Sequence, residues 1–455
     1  MKSSLKAIAA ATVLFAGAGL LTGCSGSTNG GTAANGRTTI VVAIDAGLKK
    51  PAVDTFHAQV KQFENANPNI TVTSREYTWT GTTFAAELAG GTLPDVFTIP
   101  FTDGRSLIEQ KQVADISSLI DKLPYATNFN PSVIKNGEDA AGKIKAVPIA
   151  AYGQALHYNR TLFTQAGLDP DKPPTTWEGI RKDAKQIADK TGQAGYATMT
   201  QANTGGWSLT SAAYALGGRA EKKNGAKYKA TVDTKPFKEA LTDLKTMRWT
   251  DDSMGGNFLY DWNGINQDFA AGKLGMYISG GGNYGSLVSQ NAIKPADYGE
   301  TIVPLEGGAA GALGGGTLAV VSAKADDAAK QAGVKWIDYY YMSKLFDKSA
   351  TIRDAKTQAA SDQPVGAPQV PVLDKKSFTQ TQEWIKPYIN VPLEQMKPYT
   401  SKEFDQPIIA EPESQTQALY GALDPVVQAV LTDKNANVDS LLSQANATIQ
   451  QLLDK

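Results

Sequence analysis

Cysteine is almost missing from this chain: Cys24 is the only one in 455 residues. One thiol excludes an internal disulfide, a CxxC redox pair and any multi-cysteine zinc site. Histidine is nearly as scarce, with His57 and His157 alone and neither in an HExxH spacing, so a histidine-based metal centre is not expected and both read as packing or surface residues. Neither a GxSxG elbow nor a GxxxxGK[ST] phosphate loop occurs, despite 43 glycines. An excess of charge is lacking too: 44 Lys and Arg stand against 45 Asp and Glu, for a formal charge of −1, which gives nucleic acid nothing to bind. A second long apolar run is absent after Leu21, so the body is expected to be soluble.

What is present begins at the N-terminus. Lys2 and Lys6 precede the uncharged stretch from Ala7 to Leu21, the layout of a secretory signal and too short to span a bilayer comfortably. It leads into Leu21-Thr22-Gly23-Cys24, which resembles the lipobox of bacterial lipoproteins. That resemblance implies a signal peptide over 1–23, removed before a lipidated Cys24. Ser25 to Arg37 is small and polar with one charge, a composition that cannot bury enough apolar area to offset the entropy of ordering. With Cys24 it forms an expected tether over 24–37, with a mean span of roughly 20 Å.

From Thr38 the pattern alternates between strand and helix. Thr38 to Ile44 is a β-branched run; Asp54 or Thr55 is placed to cap a helix with Phe56, Val60 and Phe63 on one face, ended by Pro68. A strand at Ile70 to Val72, a short helix at Phe84 to Leu88 and a strand at Asp95 to Ile99 follow. Such a βαβαβ series predicts parallel strands, with ligands beyond their carboxyl ends, in the loops after Ile44, Val72 and Ile99. Further on, the pattern predicts strands at Ala146 to Ile149 and Ala155 to Tyr158, then a helix opened by Thr175 with Glu178 three positions later as a capping box. Later helices carry Phe237, Leu241, Leu244 and Met247, then Ala329, Ala332, Trp336 and Tyr340. Two more run from Gln415 to Leu431, interrupted by Pro425, and from Val438 to Leu453. Trp177 and Trp336 fall on inner faces and read as core. A chain of this length exceeds one compact core, so two lobes are expected.

Six segments in order resemble family 1 extracellular solute-binding proteins of bacterial ABC importers, the group that includes the maltose-binding protein. They are Gly91 to Val96; Ala146-Val147-Pro148; His157 to Phe163 with Gly167-Leu168 after it; Pro174 to Glu178; Phe269 to Met276; and Gly315 to Val320. The resemblance implies an α/β, two-lobed periplasmic-binding-protein-like fold with a hinge and an interlobe ligand cleft. The expected lobes are 38–149 with 312–350, and 150–311 with 351–455, crossing near Pro148 to Tyr152. It also implies a monomeric receptor, lipid-anchored at the extracellular face of the cell membrane. Such a receptor captures a sugar, hands it to membrane permease subunits, and uses no cofactor, no metal and no catalysis.

A sugar presents apolar faces and a rim of hydroxyls, so its site needs flat aromatic rings with side chains that donate and accept hydrogen bonds. Trp79 after the second strand and Asp103 after the third meet that need on one lobe, although Thr102 to Arg105 also reads as a turn or helix cap. On the other lobe stand Tyr152 and Gln154, then Trp207 in a glycine loop. Asn283 and Tyr284 occupy the place where the family often shows a tryptophan after glycine. Tyr260, Trp262, Gln415 and Tyr420 read as structural, and Glu411 and Glu413 as solvated charges. The competing readings are a surface glycoside hydrolase using Asp95 with Asp103 or Asp251 with Asp252, and the same fold binding a polyamine, peptide or anion. Convergent acidic side chains would favour a cationic ligand. Replacing Cys24 with Ala should move the protein from the membrane fraction into the medium, as followed by immunoblot of fractionated cells; unchanged retention would exclude anchoring through this residue.

Overall fold

The computed structural model describes residues 36–225, 227–402 and 406–454. The signal-like segment, Cys24 and all but the last two residues of the tether lie outside the described residues. Eleven strands fall within them: β1 (Thr38–Asp45), β2 (Ile70–Tyr77), β3 (Val96–Pro100), β4 (Val147–Asn159), β5 (Ala194–Tyr196), β6 (Glu221–Asn224), β7 (Lys227–Ala230), β8 (Leu274–Gly280), β9 (Tyr298–Ile302), β10 (Ala312–Val321) and β11 (Ile408–Ala410). The main path runs β2-β1-β3-β10-β4-β8-β5, with β9 paired to β4, β11 paired to β10, and β6-β7 a separate hairpin. As expected, β1 runs parallel to β2 and β3.

Two strands belong to both halves of the molecule. β4 pairs with β10 through Val147 to Gly153, then with β8 and β9 through Gln154 to Asn159. The sequence predicts two strands here with a crossover between them, whereas one continuous strand makes the crossing. Pro148 lacks the N–H a ladder needs, and the register of β4 against β10 shifts between Thr317 and Leu318, beside the Pro148 partner.

The cores divide accordingly. Ile40, Val42, Phe56, Phe63, Val147 and Trp336 form one cluster, and Phe84, Phe97, Ile99 and Leu318 another on the opposite face of the same sheet. Leu156, Phe163, Trp177, Phe237, Leu423 and Ile449 form the main core of the second lobe, with Phe269, Tyr277, Tyr284 and Tyr298 beside it. The boundary expected at 351 is displaced. The helix Lys348–Ala360 packs on the first lobe's Lys50–Ala66, where Gln59 donates to Asp354 at 2.6 Å, and Val372 and Leu373 complete that lobe's core. The chain meets the second lobe at Ala367 and Ile389 and enters its core with Val391 and Met396.

Three helix boundaries depart from expectation for local reasons. The first helix starts at Lys50, ahead of Asp54, because Pro51 fits the first turn, where its missing N–H costs nothing. The helix Trp177–Thr191 is capped by Thr176, whose hydroxyl accepts from Gly179 N at 2.9 Å, one residue later than the Thr175 box. Thr416–Thr432 runs through Pro425 unbroken, since Leu423, Val426, Val427 and Val430 are all buried and tertiary packing outweighs one lost backbone bond.

Trp336 is 1% exposed, stacked on Tyr340 at 4.8 Å and met edge-on by Phe63 at 5.2 Å. Truncating it to Ala should destabilise the fold by about 3–5 kcal/mol, seen as a large drop in melting temperature by circular dichroism. A drop within error would show that the ring does not support the first lobe's core.

Candidate ligand cavity between the lobes

The side chains that meet between the lobes are placed by three helix starts and one strand. Beyond β2, Thr80 caps the helix Gly81–Gly90, which leaves Trp79 on the loop before it. Trp79 Nε1 donates to Asp103 Oδ2 at 2.7 Å. Asp103 lies in the first turn of the helix Phe101–Glu109, so it is a helical residue positioning the indole. Desolvation pushes its carboxyl up to about 6, against the opposing Trp79 hydrogen bond.

On the second lobe the expected glycine loop is the first turn of a helix, Thr204–Ala215. Asp424 holds its start: Asn203 N and Gly206 N donate to the two carboxylate oxygens at 2.7 and 2.8 Å. A Cβ on Gly206 would lie 2.2 Å from the Tyr420 carbonyl oxygen, so glycine is required for the contact with Thr416–Thr432, not for loop freedom. Trp207 is thereby fixed, half-buried, with its ring 6.3 Å from that of Tyr152 and nearly perpendicular to it. Tyr152 in turn lies over the β8 end and β10, where a Cβ on Gly280 or Gly315 would meet its ring at 2.9 and 2.8 Å.

These residues enclose a cavity of about 230 Å³. From the first lobe come Thr78, Trp79, Thr80, Pro100 and Thr102. The second lobe supplies Asn203, Thr204, Trp207, Asp261, Trp262 and Asn263, while Tyr152, Glu411, Gln417 and Tyr420 complete the wall. Gln417 Nε2 donates to Thr102 Oγ1 at 2.7 Å and so joins the lobes across the cavity.

Glu411 is not a solvated charge. It is half-buried on this wall and accepts from Tyr420 OH at 3.2 Å. Burial pushes its carboxyl up to about 8; Asp103 adds to the rise, and hydrogen bonds from Tyr420 and Trp207 oppose it. Glu413 is exposed, paired with Arg105 at 3.3 Å and hydrogen-bonded by Tyr228 OH at 2.6 Å. A second cavity of about 300 Å³ adjoins the first and shares Thr102, Tyr152 and Glu411 with it.

Of the expected site residues, Trp79, Tyr152 and Trp207 line the cavity, and Asp103 lies behind Trp79. Asn283 and Tyr284 do not line it. Asn283 is 7% exposed and donates to Asn266 Oδ1 and Tyr277 OH, both at 2.8 Å, while Tyr284 packs on Tyr298 in the core. Gln154 is 1% exposed on β4 and also lies off the cavity wall. Tyr260 is core, and Gln415 is exposed, whereas Trp262 and Tyr420 are lining residues. Asn203, Asp261 and Gln417 were missed. The TGGW run of Thr204 to Trp207 points to its aromatic, and only the fold shows that Asn203 ends the turn at a φ of 68°. The loop after β1, expected to share the site, lines a different cavity of about 400 Å³ with Tyr340 and Tyr341.

The carboxylate pairs considered for hydrolysis have other work. Asp95 accepts from Val41 N at 2.8 Å, and Asp251 pairs with Arg181 at 2.8 Å. His157 is buried with Nδ1 2.8 Å from Tyr298 OH, and desolvation lowers its pKa to about 4. Among the described residues no group of three His, Cys, Asp or Glu side chains could hold a metal ion, and no helix is long and apolar enough to cross a membrane.

Two α/β lobes sharing continuous strands, with one aromatic and polar cavity between them, define a two-lobed binding protein. The family described as bacterial extracellular solute-binding protein matches residues 58–350, and this chain belongs to that family. The sn-glycerol-3-phosphate-binding periplasmic protein UgpB of Pectobacterium atrosepticum is 29% identical over 217 residues, 45% of this chain and 46% of that protein. The multiple sugar-binding protein of Streptococcus mutans is 27% identical over 163 residues, 35% of this chain and 36% of that one. The chain thus spans less than half the length of the curated relatives it matches. Over most of its length it shares its fold with solved structures. A solute-binding protein from Thermotoga lettingae bound to α-D-tagatose superposes with a TM-score of 0.73, at 17% identity over 91% of this chain and 99% of that one. For the GacH receptor of Streptomyces glaucescens the TM-score is 0.69, at 19% identity over 92% and 98%.

A carboxyl whose pKa is higher folded than unfolded binds its proton more tightly in the native state. Its contribution to stability is therefore lost as pH rises from the ordinary carboxylate range to about 8 for Glu411 and about 6 for Asp103. Without ligand, the melting temperature should fall between about pH 5 and 8. In Glu411→Gln the fall above about pH 6 should flatten, with the variant more stable than the parent at pH 8. Superimposable profiles for the two proteins would exclude Glu411 as the source.

Proposed function

We propose that this protein is the extracellular substrate-binding component of an ABC importer, that its ligand is a carbohydrate, mono- or oligosaccharide, and that it passes the ligand to membrane permease subunits without altering it. The observation that carries the ligand class is the cavity itself: half-buried tryptophans from opposite lobes, Trp79 and Trp207, with Tyr152, Trp262 and Tyr420, interleaved with the hydroxyls and amides of Thr102, Asn203, Asn263 and Gln417. Flat rings suit the apolar faces of a sugar, and amides and hydroxyls suit its rim. Glycerol phosphate, named for one relative, is less favoured. A phosphate dianion calls for Arg or Lys, and among the described residues lining the cavity there is neither.

Attachment through a lipidated Cys24, a monomeric state and the absence of turnover complete this reading. Lipid at Cys24 would hold the body outside the cell near its permease, with the tether setting reach but not orientation. A ligand between two lobes stabilises the closed arrangement over the open one, and that difference in affinity drives the hinge.

A thermal-shift panel of neutral mono- and oligosaccharides on the purified protein tests this. At about 100 times its dissociation constant a true ligand stabilises the fold by roughly 2.7 kcal/mol. Trp79→Ala and Trp207→Ala should each weaken binding by about 1 kcal/mol or more while leaving the unliganded fold nearly unchanged. Should both variants fold and bind as tightly as the parent, the cavity is not the site. Chromatography of the incubated sugar should recover it whole, and steady release of shorter sugars would establish a hydrolase.

A further inference from the structure

The charge inside the cavity is one-sided. Its described lining carries the acids Asp261 and Glu411 and no Lys or Arg. The groups facing Glu411 do not compensate it. Tyr420 OH, on the helix Thr416–Thr432, reaches it at 3.2 Å; Trp207 lines the same cavity from the helix Thr204–Ala215; and the charged neighbour on the helix Phe101–Glu109 that raises its carboxyl is another acid, Asp103. Arg105 and Lys135 line the adjoining cavity, where Arg105 is engaged by Glu413 at 3.3 Å. Asp261 stands on the opposite rim, using Oδ1 to cap the helix Trp262–Ala270 through Gly264 N at 2.8 Å.

A neutral sugar leaves this imbalance as it is: Glu411 either keeps its proton or stays an uncompensated charge in a desolvated wall. A cation would supply the missing counter-charge. The rings beside Glu411 add to this, because tryptophan and tyrosine faces attract a desolvated cation. Resting on the carbohydrate reading, we propose that the preferred ligand is a sugar bearing a protonated amine, with its ammonium group directed to Glu411 and flanked by Trp207 and Tyr152.

The proton balance follows. Without ligand, Glu411 is largely protonated at pH 7, its carboxyl being held up to about 8. An ammonium favours the ionised carboxylate, so the carboxyl proton leaves to buffer as the ligand enters. Asp103 titrates lower, near 6, and contributes less at that pH.

Titration calorimetry of the mature protein at pH 7 tests this with matched sugars that differ only in an amine or a hydroxyl: glucosamine with glucose, galactosamine with galactose, and the β-1,4-linked glucosamine disaccharide with cellobiose. In at least one pair the amino sugar should bind about tenfold tighter or more. Buffers of different ionisation enthalpy should report release of up to about one proton per site with the amino sugar alone. Glu411→Gln should bring the affinity ratio towards one and abolish the release. If that variant does not fold, Asp261→Asn should narrow the ratio in the same direction. Hydroxy sugars binding as tightly as their amino partners would overturn the inference and leave the carbohydrate reading standing. Binding of choline but of no sugar would overturn the carbohydrate reading and keep the cationic site. If neither choline nor any sugar binds, both fall.

Discussion

Everything that positions the cavity depends on β4 and β10 remaining paired as they pass from one lobe to the other. Gly314 lies opposite Gly153 and Gly315 opposite Tyr152, so the two strands meet at the crossing with almost no side chain between them. That bareness lets the Tyr152 ring lie flat across Gly280 and Gly315 and reach the cavity from its floor. Backbone pairing across this shared sheet fixes where the lobes join.

Around this floor the walls are built from helix starts, which are rigid and leave backbone N–H groups to be satisfied. The Asp424 carboxylate meets that need for the helix carrying Trp207, at the cost of burying an acid, and the backbone N–H bonds from Gly206 and Asn203 oppose the rise in its pKa from desolvation. Asp103 acts differently, with its carboxylate spent on the Trp79 indole. Trp79 and Trp207 are therefore each held by an acid from another segment, one directly and one through the helix it sits on. Orientation of this kind lowers the entropy lost when a ligand orders the rings.

Much of this was legible in the sequence, and the misses share a cause. Local patterns found the β1 to β3 alternation, the inner faces of the long helices and the aromatic content of the cavity. They failed where distant chain decides. Asn283 and Tyr284 were expected at the ligand because they follow Gly280 to Gly282, where the family often shows a tryptophan, yet Asn266, 17 residues before Asn283, and Tyr298 on β9 draw both inward. Glu411 and Glu413, separated only by Pro412, read as equivalent charges, but β11 pairs with β10 and turns one towards the cavity and the other towards Arg105. The expected lobe boundary after residue 350 cut through the helix Lys348–Ala360, because its partners, Gln59 and Gln62, lie almost 300 residues upstream.

The same long-range assembly explains why the cavity's charge was invisible before the fold. Over the whole chain acids and bases nearly cancel, and nothing in that balance marks a local excess. Folding sorts the charges. Arg105 is taken up by Glu413, Arg181 by Asp251, and Arg75 by Glu87 at 2.7 Å, all outside the cavity wall. Glu411 and Asp261, more than a hundred residues apart, are left facing one space. The acidic character of the cavity is therefore a property of the assembled fold, set by which bases are paired elsewhere and not by any local run of acidic sequence.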